Sequence, residues 1–130
     1  MTICKVKNPE DGIEFAYHFL IDQLEKAEKF FLCISGGKTP EELYSKLNDF
    51  CYANPSTASK LSICWADERN VPYQSLRSNY GNTKTVFPYL LNLMHAPIST
   101  GNELCVLPQL YEEELRKTGF ILDNSFVADL

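Results

Sequence analysis

No apolar run in this 130-residue chain approaches the roughly 20 residues that a membrane-spanning helix needs. The opening stretch, Met1 to Asp11, has neither the apolar segment nor the small-residue cleavage site of a secretory signal. Basic residues are scarce. Lys and Arg total 12 against 17 Asp and Glu, the net charge is −5 at pH 7, and no Lys/Arg cluster exists. That excludes a basic nucleic-acid-binding face, and an anionic small molecule must be held by a local site rather than by a global field. Cysteine is present but unpaired in pattern. Cys4, Cys33, Cys51, Cys64 and Cys105 are odd in number and contain no C-x-x-C pair, which argues against a zinc ribbon or a dithiol redox motif. Cys33 and Cys64 lie inside apolar runs and read as small buried hydrophobes in a reducing, cytoplasmic setting.

What is there is a chain with 45% hydrophobic and 22% charged residues, enough for one domain with a core and too short for two. Strand and helix signals alternate. Residues 2–6 read as a short first strand, and Asn8 to Gly12 reads as a turn. Ile13, Ala16, Tyr17, Leu20, Leu24 and Ala27 recur at helical spacing, with His18 off that stripe on the solvated face. Phe30 to Ile34 is a continuous apolar run short enough for a buried parallel strand. A helix over Pro40 to Ala53 follows, with Thr39 as N-cap, Pro40 at its first position and Glu42 closing a T-x-x-E capping box.

Pro55 to Ser59 reads as a loop and Leu61 to Ala66 as the next strand. A helix over Asn79 to Leu91, bent near Pro88, comes next. A short strand is expected at Leu104 to Val106, then a helix from Pro108 to Lys117 that Gly119 terminates. Phe126 to Leu130 opens another apolar run, and a chain ending inside a buried strand is expected to be the front part of a longer domain. Alternation of this kind means a parallel sheet with helices on its faces: an α/β, three-layer, Rossmann-like fold, cut before its C-terminal part.

Ligands of open parallel sheets lie beyond the carboxyl ends of the strands. Two polar segments meet that condition, Ser35-Gly36-Gly37-Lys38-Thr39 and Asp67-Glu68-Arg69. If their strands are neighbours, both face one crevice. The first is built like an anion cradle: glycines that let backbone N–H groups approach, a helix N-terminus, two hydroxyls and a lysine. It is equally a plain strand-to-helix turn. Gly37-Lys38-Thr39 does not complete a nucleotide P-loop, because Leu32 stands where that motif needs glycine, and no G-x-G-x-x-G occurs. In the second segment Arg69 suits bidentate contact with a phosphate or a developing oxyanion, and Asp67 can orient a hydroxyl. The competing reading is a surface ion-pair network of little energetic weight.

Three stretches together carry a family resemblance. Ile34 to Tyr44 (Ile-Ser-Gly-Gly-Lys-Thr-Pro-Glu-Glu-Leu-Tyr) resembles the S-G-G-x-T-P…L-Y stretch of the 6-phosphogluconolactonase and glucosamine-6-phosphate deaminase superfamily. Trp65 to Pro72 resembles its W-x-D-E-R-x-V-P motif, and Ser78-Asn79-Tyr80-Gly81 its S-N-Y-G. Arg69 and Asn79 favour the lactonase branch over the deaminases, which typically carry D-E-Y and a second aromatic there.

The resemblance implies hydrolysis of 6-phosphogluconolactone to 6-phosphogluconate in the pentose phosphate pathway. It implies no cofactor, no metal and no obligate protein partner. Carried over, Ser35, Gly36, Gly37, Lys38 and Thr39 contact the substrate phosphate. Arg69 binds the phosphate or stabilises the oxyanion, and Asp67 fixes the sugar or the active-site network. Lys38 stands where the family often has serine. The family continues into a G-x-D-G-H segment whose histidine is the general base; nothing in this chain matches it, and His95 is no substitute. The alternatives are a deaminase or isomerase of glucosamine 6-phosphate, or a phosphosugar-binding piece without catalysis.

Overall fold

Every second residue of Phe30-Phe31-Leu32-Cys33-Ile34 is buried, Phe30, Leu32 and Ile34 on one side and Phe31 and Cys33 on the other. That period of two decides the layering. The structure, a computed structural model, describes residues 3–91, 93–95, 107–123 and 125–129. Strand β1 (Phe30–Ile34) pairs in parallel with β2 (Leu61–Trp65), and β2 pairs in parallel with β3 (Met94–His95), so β2 is central. On one face Phe30, Leu32, Ile34, Leu61, Ile63 and Trp65 pack against α1 (Pro9–Lys26), α2 (Glu41–Ala53) and the short α5 (Pro88–Leu91). On the other face Phe31, Cys33 and Cys64 pack against Leu115 and Tyr111 of α6 (Leu107–Thr118) and against Phe120. These are the three layers expected of a parallel sheet buried on both sides.

The predicted helical stripe of α1 faces inward, with Leu20 and Leu24 buried, and His18 is exposed beside Glu14. The helix begins earlier than expected. Asn8 to Gly12 is not a turn: the Asn8 side chain accepts from the Asp11 N–H at 2.7 Å, Pro9 occupies the first helical position, and Glu10 and Asp11 suit the helix dipole. Residues 3–6 form no strand, since they are exposed and pair with no neighbour in the sheet.

Helix α2 starts at Glu41 with Pro40 as its cap residue, and the Thr39 capping box does not form. The Lys38 carbonyl takes the Glu41 N–H at 3.2 Å in a tight turn, which displaces the Thr39 side chain from the capping role. Pro55 to Ala58 is a helical turn, α3, rather than a loop, since Pro55 again fits a first helical position. The predicted break near Pro88 divides α4 (Asn79–Val86) from α5 at Phe87.

Gly119 closes α6 with φ +95°. The final run is not an extended parallel strand among the described residues. Ser125–Phe126 (β5) forms an antiparallel hairpin with Ile121–Leu122 (β4), because Asp123 at φ +48° reverses the chain. Asp129 then reaches the outer edge of β1, donating its N–H to the Phe31 carbonyl and accepting the Phe31 N–H on its side chain, each at 2.8 Å. The strand expected at 104–106 lies outside the described residues. None of the described helices is long and apolar enough to cross a membrane.

Two tyrosines finish the strand ends. Tyr111 Oη donates to the Trp65 carbonyl at 3.0 Å and accepts its N–H at 2.8 Å, one residue past the described β2–β3 register. Tyr44 Oη does the same for Ser35, donating at 3.0 Å and accepting at 3.3 Å. Burial pushes both phenols above their ordinary range.

Beyond the strands, the Glu68 side chain gathers several hydrogen bonds. Its carboxylate accepts the N–H groups of Arg69 at 2.7 Å, Asn79 at 2.8 Å and Tyr80 at 2.7 Å, and the Ser78 hydroxyl at 3.2 Å. It thereby satisfies the first N–H groups of α4 and pins that helix to the end of β2, a charge-assisted cap.

Glu68→Ala is expected to destabilise the chain by about 3 kcal/mol, with Glu68→Gln milder, in urea melts followed by circular dichroism. A loss below about 0.5 kcal/mol, the ordinary size of a surface substitution, would remove the anchoring role. The thiols give a second expectation. Burial raises Cys51 to about 11 and Cys64 to about 12, whereas Cys4 is exposed. Iodoacetamide at pH 8 should label Cys4 in the native protein and reach Cys51 and Cys64 only on unfolding, by peptide mass mapping. Labelling of Cys64 at the Cys4 rate would contradict the packing.

Candidate functional site

Because β1 and β2 pair Ile34 with Trp65, the segments that follow leave the sheet side by side at its carboxyl rim. The ladder runs one step further, with the Ala66 N–H donating to the Ile34 carbonyl at 2.7 Å. Ser35-Gly36-Gly37-Lys38 and Asp67-Glu68-Arg69 therefore meet at one cleft. One lobe, of about 480 Å³, has walls from Ser35, Gly36, Gly37, Lys38, Tyr44 and Asn79. A second, of about 290 Å³, has Gly36, Gly37, Asp67, Arg69, Arg77 and Asn79 among its walls. The two share Gly36, Gly37, Leu76, Asn79 and Asn82 and so adjoin each other.

The glycine pair is required by geometry. Gly37 has φ +109°, where an L side chain is strained. At Gly36 a Cβ would collide with the Asn79 side chain. Among the described residues no hydrogen bond uses the N–H of Gly36, Gly37, Lys38 or Thr39, so four consecutive backbone donors remain for a ligand. They lie just ahead of α2, whose N-terminal dipole is favourable to an anion but is partly offset by Glu41 and Glu42 in its first turn. Ser35 and Thr39 are exposed; Ser35 lines the larger lobe, while Thr39 is not among the walls of either lobe.

Asn79 joins the two segments. Its Nδ2 donates to the Asp67 carbonyl at 3.0 Å, its backbone N–H donates to Glu68, and its side chain abuts Gly36. Arg69 Nε donates to Asp67 Oδ2 at 3.3 Å with both side chains about half exposed, an ion pair of small intrinsic weight that still orients the guanidinium over the smaller lobe. Glu68, read from the sequence only as part of a surface charge network, is instead the half-buried anchor of α4.

The cleft brings together Ser35, Gly36, Gly37, Lys38, Asp67 and Arg69 as expected. It adds residues to which the sequence gave no role at the site: Tyr44, Leu76, Arg77, Asn79, Asn82 and Thr83. The S-N-Y-G match marked Asn79 but gave it no role; Leu76 and Arg77 sit in a turn with no periodic signal. No cluster of three or more His, Cys, Asp or Glu able to hold a metal ion occurs among the described residues.

Comparison with known proteins agrees with this geometry. The family model described as glucosamine-6-phosphate isomerases/6-phosphogluconolactonase matches residues 10–126. A 6-phosphogluconolactonase from Chlamydia pneumoniae is 39% identical over 86 residues, taking in 62% of this chain and 32% of that protein. The crystal structure of 6-phosphogluconolactonase from Thermotoga maritima superposes with a TM-score of 0.71 at 23% identity, over 94% of this chain and 56% of that one. The Trypanosoma brucei 6-phosphogluconolactonase gives 0.72 at 18% identity, over 93% and 51%. A monomeric glucosamine-6-phosphate deaminase gives 0.76 at 16% identity, over 92% and 52%. At such identities the superpositions speak to the fold. The chain spans about half the length of these solved relatives and about a third of the Chlamydia protein. The matched span covers most of the sequence, and the chain belongs to the glucosamine-6-phosphate isomerase/6-phosphogluconolactonase family.

Proposed function

We propose that this chain carries the substrate-holding part of a 6-phosphogluconolactonase, which hydrolyses 6-phosphogluconolactone to 6-phosphogluconate in the pentose phosphate pathway. One observation supports the reading above the others: Gly36, Gly37 and Lys38, whose N–H groups are unused among the described residues, and Arg69 line two adjoining lobes at one rim of the sheet. The proposed roles follow from chemistry. A phosphate monoester takes the four N–H groups, the Lys38 ammonium and the hydroxyls of Ser35 and Thr39. Arg69, oriented by Asp67, faces the lactone end. There, water adds to the carbonyl carbon, the ring C–O bond breaks, and the ring oxygen leaves with a proton. A guanidinium beside the carbonyl oxygen stabilises the negative charge that builds on it.

Water activation needs a base of suitable pKa within hydrogen-bond reach. His18 faces solvent on α1, away from the cleft, and Asp67 is committed to Arg69. The chain by itself is therefore proposed to bind the sugar phosphate and to hydrolyse the lactone little faster than buffer. The identity of the Chlamydia protein favours the lactonase over the deaminase, in keeping with arginine at position 69. The proposed setting is the cytoplasm, consistent with four free thiols among the described residues.

Titration with 6-phosphogluconate by calorimetry checks the reading. Binding in the millimolar range or tighter is expected, weakening as salt is raised. Gly36→Ala and Arg69→Gln should each weaken it about tenfold or more, the scale of a lost charge-assisted contact. Glu41→Gln should tighten it about twofold by lifting repulsion at the phosphate end. No binding at millimolar ligand, or turnover of glucosamine 6-phosphate in preference to the lactone, would overturn the assignment.

A further inference from the structure

Arg77 lines the smaller lobe of the cleft together with Asp67 and Arg69. Charge counting makes it the deciding residue there. Asp67 and Arg69 pair at 3.3 Å and leave that lobe close to neutral. The Arg77 side chain makes no salt bridge with any described residue. Its guanidinium thus gives the lobe a net positive charge of one, in a chain whose overall charge is −5.

The turn that carries Arg77 is fixed to the scaffold. The Ser75 N–H donates to the Pro72 carbonyl at 2.8 Å, the Ser78 N–H to the Ser75 carbonyl at 3.0 Å, and the Arg77 N–H to Ser75 Oγ at 3.2 Å. Asn82 Nδ2 holds the Leu76 carbonyl at 2.9 Å. Ser78, next in the chain, is fully buried against Glu68. Leu76, 90% exposed, stands beside Arg77 on the rim of both lobes. The base of the arginine is therefore preorganised while its head group is left for a ligand.

The two lobes differ in kind. One offers a row of backbone N–H groups and an ammonium, which suits the three-oxygen face of a phosphate. The other offers two guanidinium groups, whose planar forks match the two oxygens of a carboxylate. We propose that Arg77 is a specificity-determining residue that receives the carboxylate of an open-chain aldonic acid phosphate, so that the cleft grips a doubly anionic ligand at both ends. The proposal rests on the reading of the cleft as a sugar-phosphate site and adds a second anionic subsite to it.

The test compares two ligands that share a phosphate and a six-carbon chain, 6-phosphogluconate and glucitol 6-phosphate, the second lacking the carboxylate. Calorimetry on the whole chain should find 6-phosphogluconate about tenfold tighter, the size of one charge-assisted contact. Arg77→Gln should reduce that preference to about twofold or less and leave glucitol 6-phosphate within about twofold of its original affinity. Arg77→Lys should keep an intermediate preference, since it retains charge without the fork. Arg77 is exposed, so both variants should melt as the parent does. Equal weakening of both ligands would place Arg77 on the phosphate, and an unchanged preference in Arg77→Gln would make it a bystander. Either result, or a parent chain with no preference, overturns the proposal. A parent chain that binds neither ligand overturns the sugar-phosphate reading itself.

Discussion

The in-register parallel pairing of β1 with β2 is the constraint on which the site depends. Ile34 lies opposite Trp65, and the Ala66 N–H extends the ladder to the Ile34 carbonyl. Neighbouring strands in a sheet lie about 4.8 Å apart, so the residues that follow start their loops within reach of a single small ligand. A slip of one residue would turn Phe30, Leu32 and Ile34 out of the core that α1 and α2 cover, and burial on both faces forbids it. Packing of the core thus sets the position of the polar rim.

Above the rim, polar contacts replace apolar ones as the means of holding shape. Glu68 gathers the start of α4, Asn79 spans from Asp67 to Gly36, and Tyr44 and Tyr111 close the open ends of the strands with paired hydrogen bonds. Each of these side chains makes at least one hydrogen bond to backbone, which is what a partly buried loop region demands. The cations are arranged differently. Arg69 is tethered to Asp67, whereas Lys38 and Arg77 line the cleft without a carboxylate partner among the described residues. In a net-acidic chain, such a local grouping of cations at one concavity is the arrangement that the proposed anion site requires.

Much of this architecture was legible in the residues. Phe30 to Ile34 was readable as a continuous apolar run, and Leu61 to Trp65 because its large apolar residues alternate with small ones between turn signals. The meeting of the two loops followed from strand adjacency alone. What was not legible depended on contacts distant in sequence or on local competition. Thr39 had the chemistry of a cap but lost it to the Lys38 carbonyl, an outcome decided by the loop's path. Pro55 signalled a break and instead began a helical turn. Glu68 looked like a surface charge because its donors lie on residues 78–80, ten or more positions away. Arg77 carried no periodic or motif signal, and only the fold of the 72–78 turn places it in the cleft.

The central claim is that one anionic ligand engages both loops at once. Nuclear magnetic resonance of the isotopically labelled chain tests it directly, by following the Gly37 amide and the Arg69 Nε–H during one titration with 6-phosphogluconate. The account predicts that both signals move and saturate with a single shared dissociation constant. Movement of one signal alone, or two curves with clearly different midpoints, would contradict it.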